Sequence, residues 1–278
     1  MQTFAEVPVV EPVSGVKRGN SVVLESARKI FRRGFFLSRT AGDQTIALNG
    51  ISLEAGAGEV LGLLGPNGSG KSTTLKLIST MLLPDGGRVL VNGHDTRSHG
   101  TAVRKLVGFA LASERSFFPR LTVRENLDFF AALEDIPRRE RRTRVESVLC
   151  DVALLGSADK QVMKLSSGTY QRMGMARALI KRSSVLLLDE PSRSLDPAAA
   201  EQLWELVRSL SSGGITIILA THSFAEAAAV CNRVAVLQRG ELLALRRADT
   251  MSAEKMRAEY LEITGETKPA PWTEELPT

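Results

Sequence analysis

Cysteines and long apolar runs are both scarce in this sequence. The 278 residues include two cysteines, Cys150 and Cys231, which lie 81 positions apart and match no metal-ligand spacing. Such a pair excludes a disulfide-stapled fold and is typical of reduced, buried thiols in a cytosolic protein. No run approaches the roughly 18–20 uninterrupted apolar residues of a spanning helix, and the first residues lack the basic-then-apolar plan of a secretory signal. We therefore expect a chain that neither spans a membrane nor is secreted.

The remaining composition is that of an ordinary globular protein. Hydrophobic residues make up 43% of the chain and charged residues 24%. The length suits one large α/β domain or about two domains of average size. The formal net charge of +5 suits phosphate-bearing ligands or an anionic membrane surface, and it does not decide between them. The composition predicts a soluble, mildly basic protein.

Hydrophobic patterns divide the chain into stretches of different character. Residues 1–20 have little periodicity and are predicted to form a mobile leader, and residues 21–250 are predicted to form the folded domain. Within it, residues from about 98 to 180 carry apolar positions at helical spacing, with strand-like runs before and after. Five arginines within residues 138–144 read as a link between helices, either a solvated face or a surface for headgroups or a partner. Residues 251–278 are predicted to be a partly disordered C-terminal extension.

The most informative motif is a glycine-rich loop, GPNGSGKST at residues 65–73, which fits G-x-x-x-x-G-K-[ST]. Glycines allow successive backbone N–H groups to converge on an anion, and the helix that follows adds the positive end of its dipole. Lys71 supplies a charge for the β- and γ-phosphates, and the Ser72 hydroxyl can bind Mg²⁺. An apolar run at residues 60–64 provides the preceding strand that the motif requires. The residues predicted to bind nucleotide here are Gly65, Pro66, Asn67, Gly68, Ser69, Gly70, Lys71, Ser72 and Thr73.

Two further segments carry chemistry. LLLDEP at residues 186–191 places two carboxylates at the carboxyl end of a buried strand, where ligands bind in open α/β sheets. Asp189 is predicted to reach Mg²⁺ directly or through water, and Glu190 to act as general base toward an attacking water. LSSGTYQR at residues 165–172 opens a helix with Ser166 as a good cap and leaves its first N–H groups open to an anion.

These segments, in this order, resemble the nucleotide-binding subunit of an ATP-binding-cassette (ABC) transporter. The residues that carry the resemblance are 65–73, 165–169, 186–191, the Ser-Leu-Asp run at 194–196, and His222. The resemblance spans residues 24–246 and implies an α/β fold, a P-loop NTPase core of ABC type. It further implies an antiparallel β subdomain, an inserted α-helical subdomain at about 98–180, and ATPase activity with ATP and Mg²⁺ as cofactors.

The resemblance also assigns roles to individual residues. It implies that two copies dimerise head-to-tail around two ATP molecules. One copy is expected to contribute Lys71, Ser72, Asp189, Glu190 and His222, and the other Ser166, Ser167 and Gly168. Asp196 would lie at the seam between the two sites. Lys71, Glu190 and His222 are the expected catalytic residues, with His222 holding the γ-phosphate and the attacking water.

The chain departs from the family pattern in two places. Its signature reads Ser-Ser-Gly-Thr where Ser-Gly-Gly-Gln is commonest, a change that should preserve the phosphate contacts. The segment at residues 109–117 lacks the usual glutamine that touches Mg²⁺, so either Ser113 or Glu114 would supply the oxygen, and Glu114 is the predicted metal ligand. Adenine is expected to stack on Phe31, with Phe35 or Phe36 as alternatives.

The resemblance favours an ATPase subunit that powers a separate integral-membrane permease, held by it at the cytoplasmic face of the cell membrane. The segments ERSF at 114–117 and LTVRENL at 121–127 look more like those of exporters of drugs, lipids or glycans than of importers. A second nucleotide-binding subunit, identical or different, is the other expected partner, and no nucleic acid is expected. The alternatives are an importer ATPase, a soluble ABC ATPase acting on nucleic acid or ribosomes, and a nucleotide-binding regulator that hydrolyses poorly.

Overall fold

The computed structural model describes residues 19–32, 44–111 and 116–265. Almost all of the predicted leader lies outside the described residues, and so do Phe35, Phe36, Ser113 and Glu114. The last part of the predicted C-terminal extension, from residue 266 onward, lies outside them as well. The predictions made for these positions therefore remain predictions.

The described residues form ten strands and eight α-helices. The strands are β1 (Asn20–Arg32), β2 (Gln44–Gly56), β3 (Val60–Leu64), β4 (Gly86–Val91), β5 (His94–Asp95), β6 (Val107–Leu111), β7 (Val185–Asp189), β8 (Thr216–Thr221), β9 (Arg233–Gln238) and β10 (Glu241–Arg247). The helices are α1 (Lys71–Ile78), α2 (Gly100–Leu106), α3 (Val123–Leu133), α4 (Arg138–Asp151), α5 (Ser167–Leu179), α6 (Pro197–Ser212), α7 (Phe224–Val230) and α8 (Ala253–Thr264).

A six-stranded sheet forms the centre of the molecule, in the order β10-β9-β3-β8-β7-β6. All neighbours pair in parallel except β10, which runs antiparallel to β9. Every residue of β3 and β8 is buried, as expected for parallel strands with both faces covered. Because β3, β7 and β8 are parallel neighbours in the sheet, the loops that follow them all emerge at the carboxyl ends of the strands. The candidate site lies at these carboxyl ends.

A second, antiparallel sheet has the order β2-β1-β4-β5. Buried and exposed residues alternate along the second half of β2, which is the pattern of a strand with one solvated face. Its buried side chains, such as Leu24 and Leu53, share one apolar cluster with Leu61 of β3 and Leu75 of α1. The antiparallel sheet therefore supports the segment that runs from β3 into α1.

Helices α3, α4 and α5 form the helical part of the molecule. The ring of Phe117 contacts Phe130 of α3 and Tyr170 of α5, with ring centroids 5.6 and 5.4 Å apart. The arginine-rich run predicted as a link is instead the first part of α4, which begins after Pro137 at the N-cap. Arginine is a good helix former and Pro137 has an extended ψ of 138°, so a helix can start directly behind it.

The predicted helical range of about 98 to 180 includes one strand of the central sheet. Val107–Leu111 forms β6, which pairs in parallel with β7 at the sheet edge. This run lies inside the range predicted to be helical, and its place in the sheet depends on pairing with β7, about 80 positions later in the sequence, so no local pattern identified it. Among the described residues, no helix combines the length and apolarity that a bilayer span requires.

Candidate nucleotide-binding and hydrolysis site

The loop between β3 and α1 has a backbone that only glycine accommodates easily. Gly68 and Gly70 have φ values of +81° and +109°, in the left-handed region. At Gly65 the limit is space, because a Cβ atom there would collide with the carbonyl oxygen of Leu237 and lie 2.8 Å from the Ser69 hydroxyl. The glycines of the motif are thus explained by the shape of the loop itself.

This loop presents unpaired donors where α1 begins. Within the described part of the chain, the backbone N–H groups of Gly70, Lys71, Ser72 and Thr73 have no protein acceptor, as expected for the start of a helix. The buried Ser69 hydroxyl also lacks a hydrogen-bond partner among these residues. Converging unpaired N–H groups at a helix N-terminus are a binding site for phosphate, so the cradle fits a nucleotide.

Lys71 is held deep inside this loop. Its side chain is 6% exposed, and Nζ donates to the carbonyl oxygens of Gly65 and Pro66 at 2.7 and 3.1 Å. Burial lowers the pKa of Lys71, while the nearby carboxylates of Glu190 and Asp189 oppose that shift. The ammonium group lies 3.9 Å from Glu190 Oε1, so the lysine and the predicted base face the same space.

Ser72 and Asp189 provide two oxygen atoms side by side. The Ser72 hydroxyl donates to Asp189 Oδ1 at 3.2 Å. Burial raises the pKa of Asp189, and the hydrogen bond from Ser72 opposes that shift. Among the described residues no group of three or more His, Cys, Asp or Glu side chains is placed to hold a metal. The pair fits Mg²⁺, a hard cation that binds through few protein oxygens together with waters and substrate phosphates.

Glu190 and His222 form a direct pair at the ends of β7 and β8. His222 Nδ1 lies 2.7 Å from Glu190 Oε2. The Glu190 side chain is 16% exposed and the His222 side chain 59% exposed, so the carboxylate is sheltered and the imidazole faces outward. The backbone N–H of Glu190 donates to the Ala220 carbonyl at 2.9 Å, which ties the acid to the strand that leads to His222. A sheltered carboxylate within reach of water is suited to accept a proton.

The predicted signature segment starts α5. Ser166 is the N-cap of this helix, and its hydroxyl accepts from the Thr169 N–H at 3.3 Å. The Thr169 hydroxyl lies 2.8 Å from the same oxygen, so the unusual threonine of this signature takes part in the cap. Ser166 and Ser167 are both exposed, which leaves them open to a ligand or a second chain.

A cleft of about 960 Å³ joins most of these residues. Its wall includes Asp189 and Glu190, Leu165 and Ser167 of the same chain, and these residues of the phosphate loop: Asn67, Gly68, Gly70, Lys71, Ser72 and Thr73. Ser166, Gly168 and His222 are not part of its wall.

Phe31 and Asp196 are the two remaining residues predicted to contact the nucleotide or link the two sites. Phe31 at the end of β1 lines the cleft, is 42% exposed and has Lys29 Nζ 5.8 Å from its ring centroid. Its position is therefore compatible with stacking on a base. Asp196 is the N-cap of α6, where its Oδ1 accepts from the Ala199 N–H at 2.9 Å. Asp196 thus has a structural contact of its own, in addition to the role implied by the resemblance.

Sequence reading missed several residues around the site. Ile46, Tyr170, Gln171 and Arg193 also line the cleft, and the buried Gln171 side-chain nitrogen has no hydrogen-bond partner among the described residues. Tyr170 and Gln171 lie three and four positions after Ser167 on α5, so helical spacing places them on the same face and is the signal that would have found them. Glu226 of α7 is buried close to Glu190 without any local motif to identify it.

Comparison with known sequences gives a consistent result. A family model described as ABC transporter matches residues 48–193, just over half of the chain. A daunorubicin resistance ATP-binding protein of Streptomyces coeruleorubidus is 38% identical over 75% of this chain and 66% of its own length. The Nod factor export ATP-binding protein I of Burkholderia thailandensis is 37% identical over 84% of this chain and 76% of its own. This chain therefore spans about two thirds to three quarters of the length of these relatives.

Solved structures match over a larger share of their length. CbiO1 from Clostridium perfringens, described as part of the ABC transporter complex cbiONQ, is 28% identical with a TM-score of 0.74, over 88% of this chain and 95% of its own. The ATP-binding cassette MJ0796, a dimer in a post-hydrolysis state bound to ADP and Pi, is 28% identical with a TM-score of 0.70, over 83% of this chain and 100% of its own. The predicted fold class is confirmed by these matches. The chain belongs to the ABC transporter family, and it is an ABC-type ATPase with a nucleotide-binding P-loop fold.

Proposed function

We propose that this chain is the ATP-hydrolysing subunit of an exporter, which dimerises around two ATP molecules and powers a separate membrane-spanning permease. The observation that carries the proposal is the convergence of Lys71, Ser72, Asp189 and Glu190 on one cleft, with His222 2.7 Å from Glu190. Export is favoured because relatives at 37–38% identity are named for Nod factor export and for daunorubicin resistance. On this proposal the chain works at the cytoplasmic face of the membrane, bound to its permease.

Phosphate binding is assigned to the loop and Lys71. The unpaired N–H groups from Gly70 to Thr73 would hold the β- and γ-phosphates, and the Lys71 ammonium would add a buried positive charge. Ser72 and Asp189 would hold Mg²⁺ through their adjacent oxygens. Bound Mg²⁺ supplies charge neutralisation for the phosphates during transfer.

Proton transfer is assigned to Glu190. Its sheltered carboxylate would accept a proton from the attacking water while Lys71, 3.9 Å away, holds the phosphate side of the cleft. His222 would orient this carboxylate through the 2.7 Å contact. The exposed edge of the His222 imidazole would face the γ-phosphate. Phe31 would stack on the adenine from the other border of the cleft.

A second copy of the chain is assigned the other side of each ATP. Its exposed residues Ser166 and Ser167, with Gly168, would contact the γ-phosphate, and Asp196 would lie at the seam between the two sites. The dimeric state of the related cassette MJ0796 supports this arrangement. In the single chain Ser167 lines the same cleft as the phosphate loop, so a pairing of the two within one chain is the outcome that a mixed-dimer experiment must exclude.

The Glu190→Gln variant tests this proposal most directly. Glutamine keeps the size of the side chain but cannot accept a proton, so ATP turnover should fall at least about 100-fold. ATP binding should persist, and ATP-bound dimers should accumulate in size-exclusion chromatography with light scattering. Lys71→Ala is the matched control, because it should lose both ATP binding and dimers. Turnover by Glu190→Gln close to that of the wild type would remove Glu190 from its assigned role.

Purification from membranes tests the choice of partner. The native chain should co-purify with a multi-span membrane protein, and reconstituted vesicles should move substrate out of the compartment that contains ATP and this chain. Co-purification with RNA or ribosomes instead would favour the soluble ATPase, and movement in the opposite direction would favour an importer.

A further inference from the structure

A small cavity of about 160 Å³ lies next to the phosphate loop. One of its walls comes from helix α8. This helix has no part in the roles assigned above. The lining residues are Leu64, Gly65, Pro66, His222, Phe224 and Tyr260. Tyr260 of α8 therefore shares a cavity with the first residues of the phosphate loop and with the assigned γ-phosphate histidine, although it follows that histidine by 38 positions.

Tyr260 contacts the segment that carries His222 through an aromatic pair. The rings of Tyr260 and Phe224 meet with centroids 5.3 Å apart and planes at 66°, an edge-on geometry that aromatic pairs prefer. Phe224 is the first residue of α7, two positions after His222. Tyr260 is 6% exposed, so this contact is made inside the protein and not on a mobile surface.

The loop that holds His222 runs from the sheet to helix α7, which Ser223 caps by accepting from the Glu226 N–H at 3.2 Å. Thr221 ends β8 and is fully buried, and its hydroxyl accepts from the Ser223 N–H at 3.0 Å. The imidazole itself is 59% exposed, and the 2.7 Å contact with Glu190 is its polar contact within the described residues. With one end of this short loop fixed in the sheet, the direction of the histidine depends on where α7 begins.

Helix α8 is anchored well enough to act as a support. Met256 and Tyr260, one turn apart and therefore on the same face, are 3% and 6% exposed and belong to the main apolar core. The Ser252 hydroxyl caps the helix by accepting from the Lys255 N–H at 3.3 Å. A capped helix with a buried stripe holds its tyrosine in one place.

We propose that Tyr260 is a positioning residue for ATP hydrolysis. Through Phe224 it fixes the start of α7 and so holds the His222 imidazole within hydrogen-bond distance of the Glu190 carboxylate. The C-terminal helix is then a part of the hydrolysis machinery that acts without touching the nucleotide. The inference rests on the role of His222 given in the proposed function.

Steady-state kinetics of the full chain test the inference. In Tyr260→Ala, kcat should fall about tenfold, because a small misplacement of a catalytic group is costly. The Kd for ATP should stay within about twofold of the wild type, since the nucleotide contacts remain. Tyr260→Phe retains the ring and should restore kcat. Leu261→Ala is the control for simple loss of packing, because Leu261 lies on the same helix against the core but outside the cavity.

Histidine NMR gives a readout that a merely structural role would not change. The chain has three histidines, His94, His99 and His222, so each ring signal can be assigned by a single substitution. In Tyr260→Ala only the chemical shifts of His222 should change. The chemical shifts of His94 and His99, whose ring centroids lie 5.9 Å apart, should stay the same. Unchanged His222 signals and an unchanged kcat in a folded Tyr260→Ala protein would overturn the inference.

A double mutant separates this inference from the proposed function. If Tyr260 acts through His222, the double variant His222→Ala with Tyr260→Ala should turn over ATP at the rate of His222→Ala alone. An independent further loss in the double variant would overturn the inference and leave the proposed function intact. Wild-type turnover by His222→Ala would instead overturn the assigned role of His222 itself.

Discussion

Glu190 combines the assigned base with an unusual backbone conformation. Its φ of +53° lies in the left-handed region, which a residue with a Cβ atom occupies at a cost of about 1–2 kcal/mol. The surrounding strands hold it there, since its N–H is bonded to Ala220. A strained conformation kept at a predicted catalytic position indicates that the direction of the side chain matters more than local stability.

This strain can be measured with two substitutions at the same position. Both Glu190→Gly and Glu190→Ala remove the carboxylate, but only glycine relieves the backbone. We expect the free energy of unfolding of Glu190→Gly to exceed that of Glu190→Ala by about 1 kcal/mol, while both lack ATP turnover. Urea unfolding of the two proteins measures the difference. Equal stabilities would mean that residue 190 is not strained in solution.

Glu226 is a buried carboxyl group that makes stability depend on pH. It is 1% exposed, and burial raises its pKa, while side-chain hydrogen bonds from Thr221, Ser192 and Trp204 oppose that shift. The folded state therefore holds the proton up to a higher pH than the unfolded state does. The sign follows from linkage: this stabilising contribution is complete below the ordinary glutamate pKa and is lost as pH rises through the raised value.

Glu226→Gln should remove this pH dependence. Relative to the variant, the wild type should lose stability as pH rises from the ordinary glutamate pKa of about 4.3 toward neutrality. Urea unfolding at a series of pH values measures the difference. Glu254, whose pKa is lowered by hydrogen bonds at the start of α8, is the control, because Glu254→Gln should change stability with the opposite sign. A flat difference for Glu226→Gln would show that its carboxyl titrates alike in both states.

For single residues, the sequence was most informative where a motif is local. Lys71, Ser72, Asp189 and Glu190 belong to short runs whose chemistry can be read directly, and the structure brings them to one cleft. Glu226 and Tyr260 belong to no motif. Their positions depend on how α7 and α8 pack, which no local pattern expresses.

Asp196, which is predicted to lie between the two ATP sites, also caps helix α6. Asp196 caps this helix through the Ala199 N–H at 2.9 Å, and Pro197 occupies its first turn. Loss of an N-cap costs about 1 kcal/mol. The helix start and the proposed dimer seam therefore share one side chain.

Two substitutions at residue 196 distinguish these duties. Asp196→Ala should lower the free energy of unfolding by about 1 kcal/mol, whereas Asp196→Asn keeps an acceptor and should cost little. If Asp196 also links the two sites by its charge, Asp196→Asn should still reduce ATP turnover. Thermal unfolding and steady-state turnover of both variants measure the two effects. Full turnover by Asp196→Asn would leave capping as the role of this residue.

Among the strands and helices, the buried apolar strands and the amphipathic helices were predictable, and the exceptions have physical causes. The helix start at Arg138 was predicted as a link because charge hides the apolar face that begins at Val145. Strand β6 was missed because its pairing with β7 is a contact between residues about 80 positions apart in sequence. Both are decided by tertiary packing.

For the whole molecule, the decisive question is whether each ATP site uses one chain or two. Lys71→Ala disables the phosphate loop, and Ser167→Arg places a bulky cation on the exposed signature. Each variant alone should be inactive. A mixed dimer contains one site with an intact loop and an intact signature, and the ATP bound there can hold the two chains together although the other site is empty. An equimolar mixture should therefore regain turnover, up to roughly a quarter of the wild-type value if partners exchange freely in a twofold dimer.

The ATPase activity of the mixture distinguishes the two arrangements. Activity that appears only on mixing supports sites shared between chains. If each chain builds its site from its own loop and signature, the mixture stays inactive. Wild-type chains mixed with Lys71→Ala provide the control for exchange. Only the resemblance predicted the arrangement of two chains, because a single sequence does not record where its partner lies.

The crowding around the glycines has a consequence for how this protein can evolve. A Cβ atom at Gly70 would lie 2.9 Å from the Ala47 carbonyl oxygen, and one at Gly240 would lie 2.7 Å from the same atom. Two segments that are distant in sequence thus lie close to one carbonyl oxygen of a third segment, strand β2. A larger residue at Gly70 or Gly240 would have to displace the strand that carries Ala47, so homologues that keep an active loop should retain glycine at both positions.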